Sequence, residues 1–300
     1  MKALCIGQAS YDITLLMDTF PIENKKFRTK DKIECGGGSA SNCAYLLSKW
    51  GMDSSFAGVV GKDNYGESIK KEFLSVDTGL KYYEERENML TTSSYIIATM
   101  DKGSRTILSS RKVKEPLEIP YEKDSYDLIV LDGYEKDFAL EVLKNNPEAI
   151  TVLDAGSLKE ATVELGHHVK YLACSNDFAR EYTNMPLDYN NLKTLVPIYD
   201  KLKEDFGCEI IITLEEHGCF IKTDKYKVIS SIQVEVKDST AAGDIFHGAL
   251  AYFLASGYAL EEAVKLANIT GALSVTKVGG RNSIPTLHQV KEIYNRVFAK

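Results

Sequence analysis

The chain reads as an α/β protein: a doubly wound, mostly parallel sheet flanked by helices, with a small β-sheet lid. Three observations predict this. Short, nearly continuous apolar runs recur along the 300 residues, and most are followed by a segment of helical periodicity. Runs of that kind suit strands covered on both faces, as in a parallel sheet. Two further segments are β-rich and polar at their turns, with no helix beside them.

The strand candidates, in order, are "ALCIG" at the start, "SSFAGVVG", "DLIVLDG", "AITVLDAG", "VKYLACS" and "EIIITL". Helix candidates lie between them at Ser39 to Trp50, Tyr65 to Leu74, Lys136 to Lys144 and Leu192 to Phe206. Alternation of this type predicts a layered α/β fold. The C-terminal third ends in three helices, at 243–256, 260–277 and 286–298. Segments 11–35 and 91–110 form the expected lid, with Asp101-Lys102-Gly103 as a hairpin turn. No repeat or low-complexity stretch divides the chain, so one domain spanning 1–300 is expected.

The formal net charge of −7 argues against a nucleic-acid partner, which needs a basic footprint. No apolar stretch reaches the 18 residues of a membrane-spanning helix, so no membrane partner is expected. The six cysteines (Cys5, Cys35, Cys43, Cys174, Cys208 and Cys219) show neither a CxxC pair nor metal-ligand spacing. With no export signal in "MKALCIGQ", they read as reduced thiols of a cytoplasmic protein.

One stretch carries chemistry on its face: "DSTAAGDIFHGALAYFLASG", Asp238 to Gly257. Apolar residues at 245, 246, 249, 250, 253 and 254 describe a buried helix face that starts just before Asp244. Ala241, Ala242 and Gly243 have little side chain, so a ligand can approach their N–H groups. A helix N-terminus stripped in this way is an anion site, and a carboxylate beside it can act as a general base. The plainer alternative is a first-turn Asp that complements the helix dipole. A second stretch, "ECGGGSASNCAYLLSKWG", sets three glycines before a Ser39 N-cap, with Asn42 one turn into the helix.

Taken together, these residues resemble the ribokinase-like (PfkB) carbohydrate kinase family along essentially the whole chain. The N-terminal signature is Gly37-Gly38-Ser39-Ala40-Ser41-Asn42-Cys43-Ala44, with Gly51 and Gly61 at the later spacings. The C-terminal one is Asp238-Ser239-Thr240-Ala241-Ala242-Gly243-Asp244, followed by Phe246 and Gly248-Ala249. The resemblance implies MgATP-dependent phosphorylation of a sugar hydroxyl. Asp244 would be the base, and the N–H groups of Ala242 and Gly243, with Ala241, the anion hole. It also implies that Asp12, Gly37, Gly38 and Asn42 bind the sugar. Arg105, in a "SRTI" hairpin shared with ketohexokinase-like members, would close over acceptor or phosphates; a solvated hairpin arginine is the alternative.

On the nucleotide side the resemblance points to Asn176, Thr213, Gly218 and Asn268. Glu215 replaces a glycine in the family's Thr-x-Gly-x-x-Gly turn, and Ala179 stands where many members have the Glu of an Asn-x-x-Glu motif that arranges magnesium; Asp177 or Glu181 is then the substitute. Potassium-activated members hold the cation at positions equivalent to Asp238, Thr240, Gly279 and Ser283. The family further implies a homodimer through the lid. A nucleoside kinase shares both signatures, and a non-catalytic sugar sensor would be consistent with Ala179. Outside the motifs, His167-His168 read as a solvated loop, His247 as structural, Asp132 and Asp154 as strand-end carboxylates, and the "YYEERE" run as a solvated face.

Overall fold

Strand β1 (Lys2–Ile6) lies inside a nine-stranded sheet because every residue from Ala3 to Ile6 is buried, alternating between two apolar layers. Ala3 and Cys5 face the layer formed by α1 (Ser39–Lys49), α2 (Asn64–Leu74), α7 (Ala242–Ala255), α8 (Leu260–Ser274) and α10 (Leu287–Phe298). Leu4 and Ile6 face α3 (Lys136–Asn145), α4 (Glu160–Gly166), α5 (Asn176–Thr183) and α6 (Leu192–Phe206). The continuous apolar runs of the sequence are therefore strands with helices on both faces. This computed structural model describes residues 1–101, 104–110, 116–189 and 191–298. Of the expected lid hairpin turn, Lys102 and Gly103 lie outside the described residues.

Two strands of the lid open the list of the others: β2 (Ser10–Met17) and β3 (Asp31–Gly37). They are followed by β4 (Asp53–Gly61), β5 (Gly79–Arg86), β6 (Ser93–Thr99), β7 (Ser104–Ser110) and β8 (Leu128–Leu131). The set closes with β9 (Ile150–Ala155), β10 (Tyr171–Ser175), β11 (Glu209–Thr213), β12 (Cys219–Lys222) and β13 (Tyr226–Ile229). The main sheet runs β13-β12-β11-β10-β9-β8-β1-β4-β5, parallel except where β12 and β13 add an antiparallel edge. The lid is a separate four-stranded sheet, β3-β2-β6-β7. Its β2 and β6 run parallel, and its outer pairs are antiparallel.

Some local expectations change. The 82–87 run is not a solvated face: it lies mostly in the edge strand β5, with Tyr82 and Tyr83 buried in opposite layers. Strand pairing to β4 overrides the polar reading, because Tyr82 and Tyr83 take the buried positions while Lys81, Glu84, Glu85 and Arg86 keep partly or fully exposed ones. The second C-terminal helix stops at Ser274, and a single turn, α9 (Gly280–Ser283), follows it.

Asp132, just past β8, ties the fold to the site. Its Oδ2 accepts the N–H groups of Gln8 (2.8 Å) and Ala40 (3.1 Å), and its Oδ1 that of Tyr134 (3.0 Å). It therefore fixes the β1–β2 connection against the first turn of α1. Burial pushes its carboxyl up to about 6 despite these donors. Asp132→Asn places an N–H donor against another, and should lower the unfolding free energy by about 1–3 kcal/mol, read from the urea midpoint at pH 8. An unchanged midpoint would show that these three bonds do not hold the segment.

Candidate active site

Ala241 precedes α7 in the left-handed region (φ 58°, ψ 9°), which turns the chain abruptly into the helix. The Ala242 N–H is directed at the Ser239 carbonyl, 3.3 Å away. The N–H groups of Gly243 and Asp244 find no acceptor among the described residues. Of the three residues expected to form the anion hole, Gly243 thus presents an open N–H, whereas that of Ala242 closes the turn. Space at Gly243 is open: an added Cβ there would meet nothing within 4 Å.

Asp244 is fixed from the other signature. Asn42 Nδ2 donates to Asp244 Oδ2 at 2.8 Å, and the Cys43 thiol reaches the Asp244 carbonyl at 3.4 Å. Asn42 is buried, so its place on α1 is not a helix surface. Gly38 starts that helix at φ 92°, and a Cβ on it would lie 2.5 Å from the Gln8 carbonyl oxygen. Gly37 gives way to Asp12, whose Oδ2 would be 2.1 Å from a Cβ. Asp12 accepts from Ser10 Oγ (3.1 Å), and burial, with the charge of Asp244, raises its carboxyl to about 6. Asp12, Gly37, Asn42 and Asp244 are therefore linked in one cluster where lid and main domain meet, with Gly38 at the start of α1 beside it.

Burial and then the charge of Asp154 hold the Asp244 carboxyl above the ordinary carboxylate range. The amide of Asn42, the hydroxyl of Ser39 and the imidazole of His247 act in the opposite sense. His247 is not simply packed among apolar residues: its Nδ1 lies 2.9 Å from Asp154 Oδ2, both side chains being buried.

Sequence reasoning passed over Arg281, which is buried and bonded to Asn42 of this cluster. Its Nε donates to Asn42 Oδ1 (3.3 Å), its Nη1 to Glu72 Oε2 (2.8 Å) and its Nη2 to Ser41 Oγ. The guanidinium also stacks between Tyr45 and Phe73. Glu72 in turn accepts the Gly36 N–H. The chain Glu72–Arg281–Asn42–Asp244 orients the amide so that it donates to the carboxylate. No local signal marks it, because its partners Glu72, Asn42 and Ser41 all come from distant elements.

Beyond Gly243 opens a cleft of about 800 Å³ at the C-terminal ends of β10 and β11. It brings together all four residues expected on the nucleotide side, Asn176, Thr213, Gly218 and Asn268, with Ala242, Gly243 and, from the lid, Arg105. Arg105 Nη1 donates to Ser239 Oγ at 2.5 Å, so the lid already touches the turn before α7. Asn176 contacts Tyr189 and, at 3.4 Å, Glu215. Glu215 adopts φ 54°, the left-handed backbone that a glycine in that turn would supply without strain. The Asn268 amide donates to the Ile229 carbonyl (2.8 Å) and its oxygen lies 3.1 Å from the Cys219 thiol, so its polar atoms are engaged by protein.

Ala179 is fully buried against the α5–α6 layer and faces no ligand space. Asp177 lines the cleft while pairing with Arg180 (2.7 Å); Glu181 is exposed and does not line it. No three His, Cys, Asp or Glu side chains converge as a metal site among the described residues. Asp238, Thr240, Gly279 and Ser283 do come together. Asp238 accepts from the N–H groups of Thr240 and Gly279, both at 2.9 Å, and the Ser283 N–H donates to the Gly279 carbonyl at 3.2 Å. Among the described residues, no helix is long and apolar enough to cross a membrane.

Comparison with known proteins agrees with the fold. The pattern of the pfkB family carbohydrate kinases matches residues 1–287. A ribokinase of Lactococcus lactis is 24% identical over 314 residues, covering 97% of this chain and 96% of its own. The structure of Arabidopsis thaliana ribokinase complexed with ribose and ATP superposes with a TM-score of 0.81 at 22% identity, over 97% and 98% of the two chains. That of a Burkholderia thailandensis nucleoside kinase in complex with inosine gives 0.77 at 19% identity, over 99% of each.

The buried Arg281 makes a direct test of how the pocket is held. Arg281→Met strands the Glu72 carboxylate and should destabilise the fold by about 3 kcal/mol, with Glu72→Gln in the same chain recovering part of the loss. Denaturant titration of the two variants decides it: equal losses in both would mean that packing, not the ion pair, carries Arg281.

Proposed function

The chain belongs to the pfkB family of carbohydrate kinases and transfers phosphate to a hydroxyl, and from that premise we propose that its acceptor is a sugar, with Asp244 as general base. One observation carries this reading: the 2.8 Å bond by which Asn42 of the first signature holds the Asp244 carboxylate of the second, next to Gly243 at the edge of the cleft. The acceptor hydroxyl binds against Asp12, Gly37, Gly38 and Asn42, and MgATP occupies the cleft lined by Asn176, Thr213, Gly218 and Asn268. Asp244 takes the hydroxyl proton as the oxygen attacks the γ-phosphorus, and the bond to the ADP oxygen breaks. The free N–H groups of Gly243 and Asp244, at the positive end of the α7 dipole, meet the charge on the transferring group.

Arg105 reaches these phosphates from the lid, supported by its bond to Ser239. Asn176, Asp177 and Glu215 of the cleft wall would stand near a divalent cation bound with the nucleotide, which would supply charge neutralisation on the phosphates. A monovalent cation would draw on the carbonyls of Asp238 and Thr240. The lid exposes Tyr95 and Leu108, which pair across β6 and β7 and so share one face, and the β2–β3 connection exposes Phe20, Ile22 and Phe27. A second copy covering that face forms the homodimer we infer.

The test is ADP release from MgATP with pentoses, ketohexoses, aldohexoses, their phosphates and nucleosides, alongside Asp244→Asn. We expect turnover on one sugar, reduced on the order of 10²–10⁴ in the variant. Turnover restricted to a nucleoside would replace the sugar reading, and a compound that raises the melting temperature without turnover would make the protein a sensor.

A further inference from the structure

We propose that His247 and Asp154 form a buried ion pair that tunes the proton affinity of Asp244, which makes His247 a positioning residue for phosphoryl transfer. The inference rests on the reading of Asp244 as base. His247 lies on α7 one turn beyond Asp244, and its ring is directed at the end of β9, where Asp154 Oδ2 stands 2.9 Å from Nδ1. His247 is 4% and Asp154 5% exposed. Neither ring nitrogen has an aligned hydrogen-bond partner among the described residues, so the contact is one of charge more than of a directed bond.

The surroundings favour the imidazolium. Burial opposes the charge, but Asp154, Asp244 on the same helix and the Ala173 carbonyl of β10 outweigh it and raise the ring above its ordinary value. The other groups near this cluster add no competing cation. Asp132 of β8 and Asp12 of β2 are acidic, and the Cys43 thiol of α1 is pushed far up by burial and stays neutral. Arg281 of α9 is committed to Glu72. A positive ring beside Asp154 and one turn from Asp244 on the same helix favours the ionised form of the Asp244 carboxyl. Without it the repulsion between Asp154 and Asp244 is unscreened and Asp244 holds its proton to higher pH, where it cannot accept one from a hydroxyl.

The sign of each substitution follows. His247→Gln leaves Asp154 charged beside Asp244, so the acid limb of the kcat/KM profile moves up by one pH unit or more. That is a tenfold loss of rate below the limb with the plateau little changed. Asp154→Asn removes the repulsion and moves the limb down. The double variant removes both charges and returns the limb toward that of the unsubstituted protein, which a packing role for either residue would not do. In the unsubstituted protein, 15N shifts of the labelled imidazoles should show His247 as the imidazolium at pH 7.5, a reading independent of turnover and of whether the variants fold.

A neutral His247 at that pH, or a His247→Gln variant slowed equally at every pH, overturns the proposal. Undiminished transfer by Asp244→Asn would instead remove the base reading, and the role of the pair with it, whatever the charge on the ring.

Discussion

The hydrogen bond from Asn42 to Asp244 joins two helix N-termini that are 202 residues apart in the chain. Much else in the structure is arranged so that this contact can form. Helices α1 and α7 must approach closely, and Gly248 allows it, since a Cβ there would already lie 3.2 Å from the Cys43 Cα. The start of α1 must sit beside the end of β1, which the Asp132 bonds to Gln8 and Ala40 secure. The amide must present its donor and not its oxygen to the carboxylate, and Arg281 settles that by donating to Asn42 Oδ1. A parallel sheet supplies the geometry, because all these groups stand at the C-terminal ends of its strands.

Concentrating carboxylates there has an electrostatic cost. Asp12, Asp132 and Asp244 are all raised by burial, and a site of three such groups favours protonation over ionisation. The fold answers with directed donors rather than with solvent: backbone N–H groups for Asp132, Asn42 and Ser39 for Asp244, a hydroxyl for Asp12. Each donor stabilises the charged form without adding a mobile cation that would compete for the phosphates.

The sequence made the layered fold legible because burial on both faces leaves strands with no polar positions, as in β8. It made Asp244, Asn42 and the two glycines legible because their types are restricted by close approach and by the helix terminus. Arg281, Glu72 and the Asp154–His247 contact were not legible. Each depends on a partner from a distant element, and nothing local separates a buried arginine or histidine from a solvated one. Strand β5 was missed for a related reason: its charges are local, whereas the pairing that buries Tyr82 and Tyr83 is not.

Two of the seven described non-glycine residues with positive φ stand at or beside this cleft: Ala241 at the turn into α7 and Glu215 in the turn between β11 and β12. A non-glycine residue in that region costs on the order of 1–3 kcal/mol, and it persists only where surrounding contacts fix the backbone. Around Ala241 they do: the Ser239 carbonyl takes the Ala242 N–H, and the Ala241 carbonyl takes that of Ile245. The left-handed residue is what turns the Gly243 and Asp244 amides outward instead of into the preceding chain. A relaxed residue there would continue the helix backwards and give those amides intrahelical acceptors, leaving nothing to meet an anion. The strain and the open N–H groups are thus two consequences of one backbone choice.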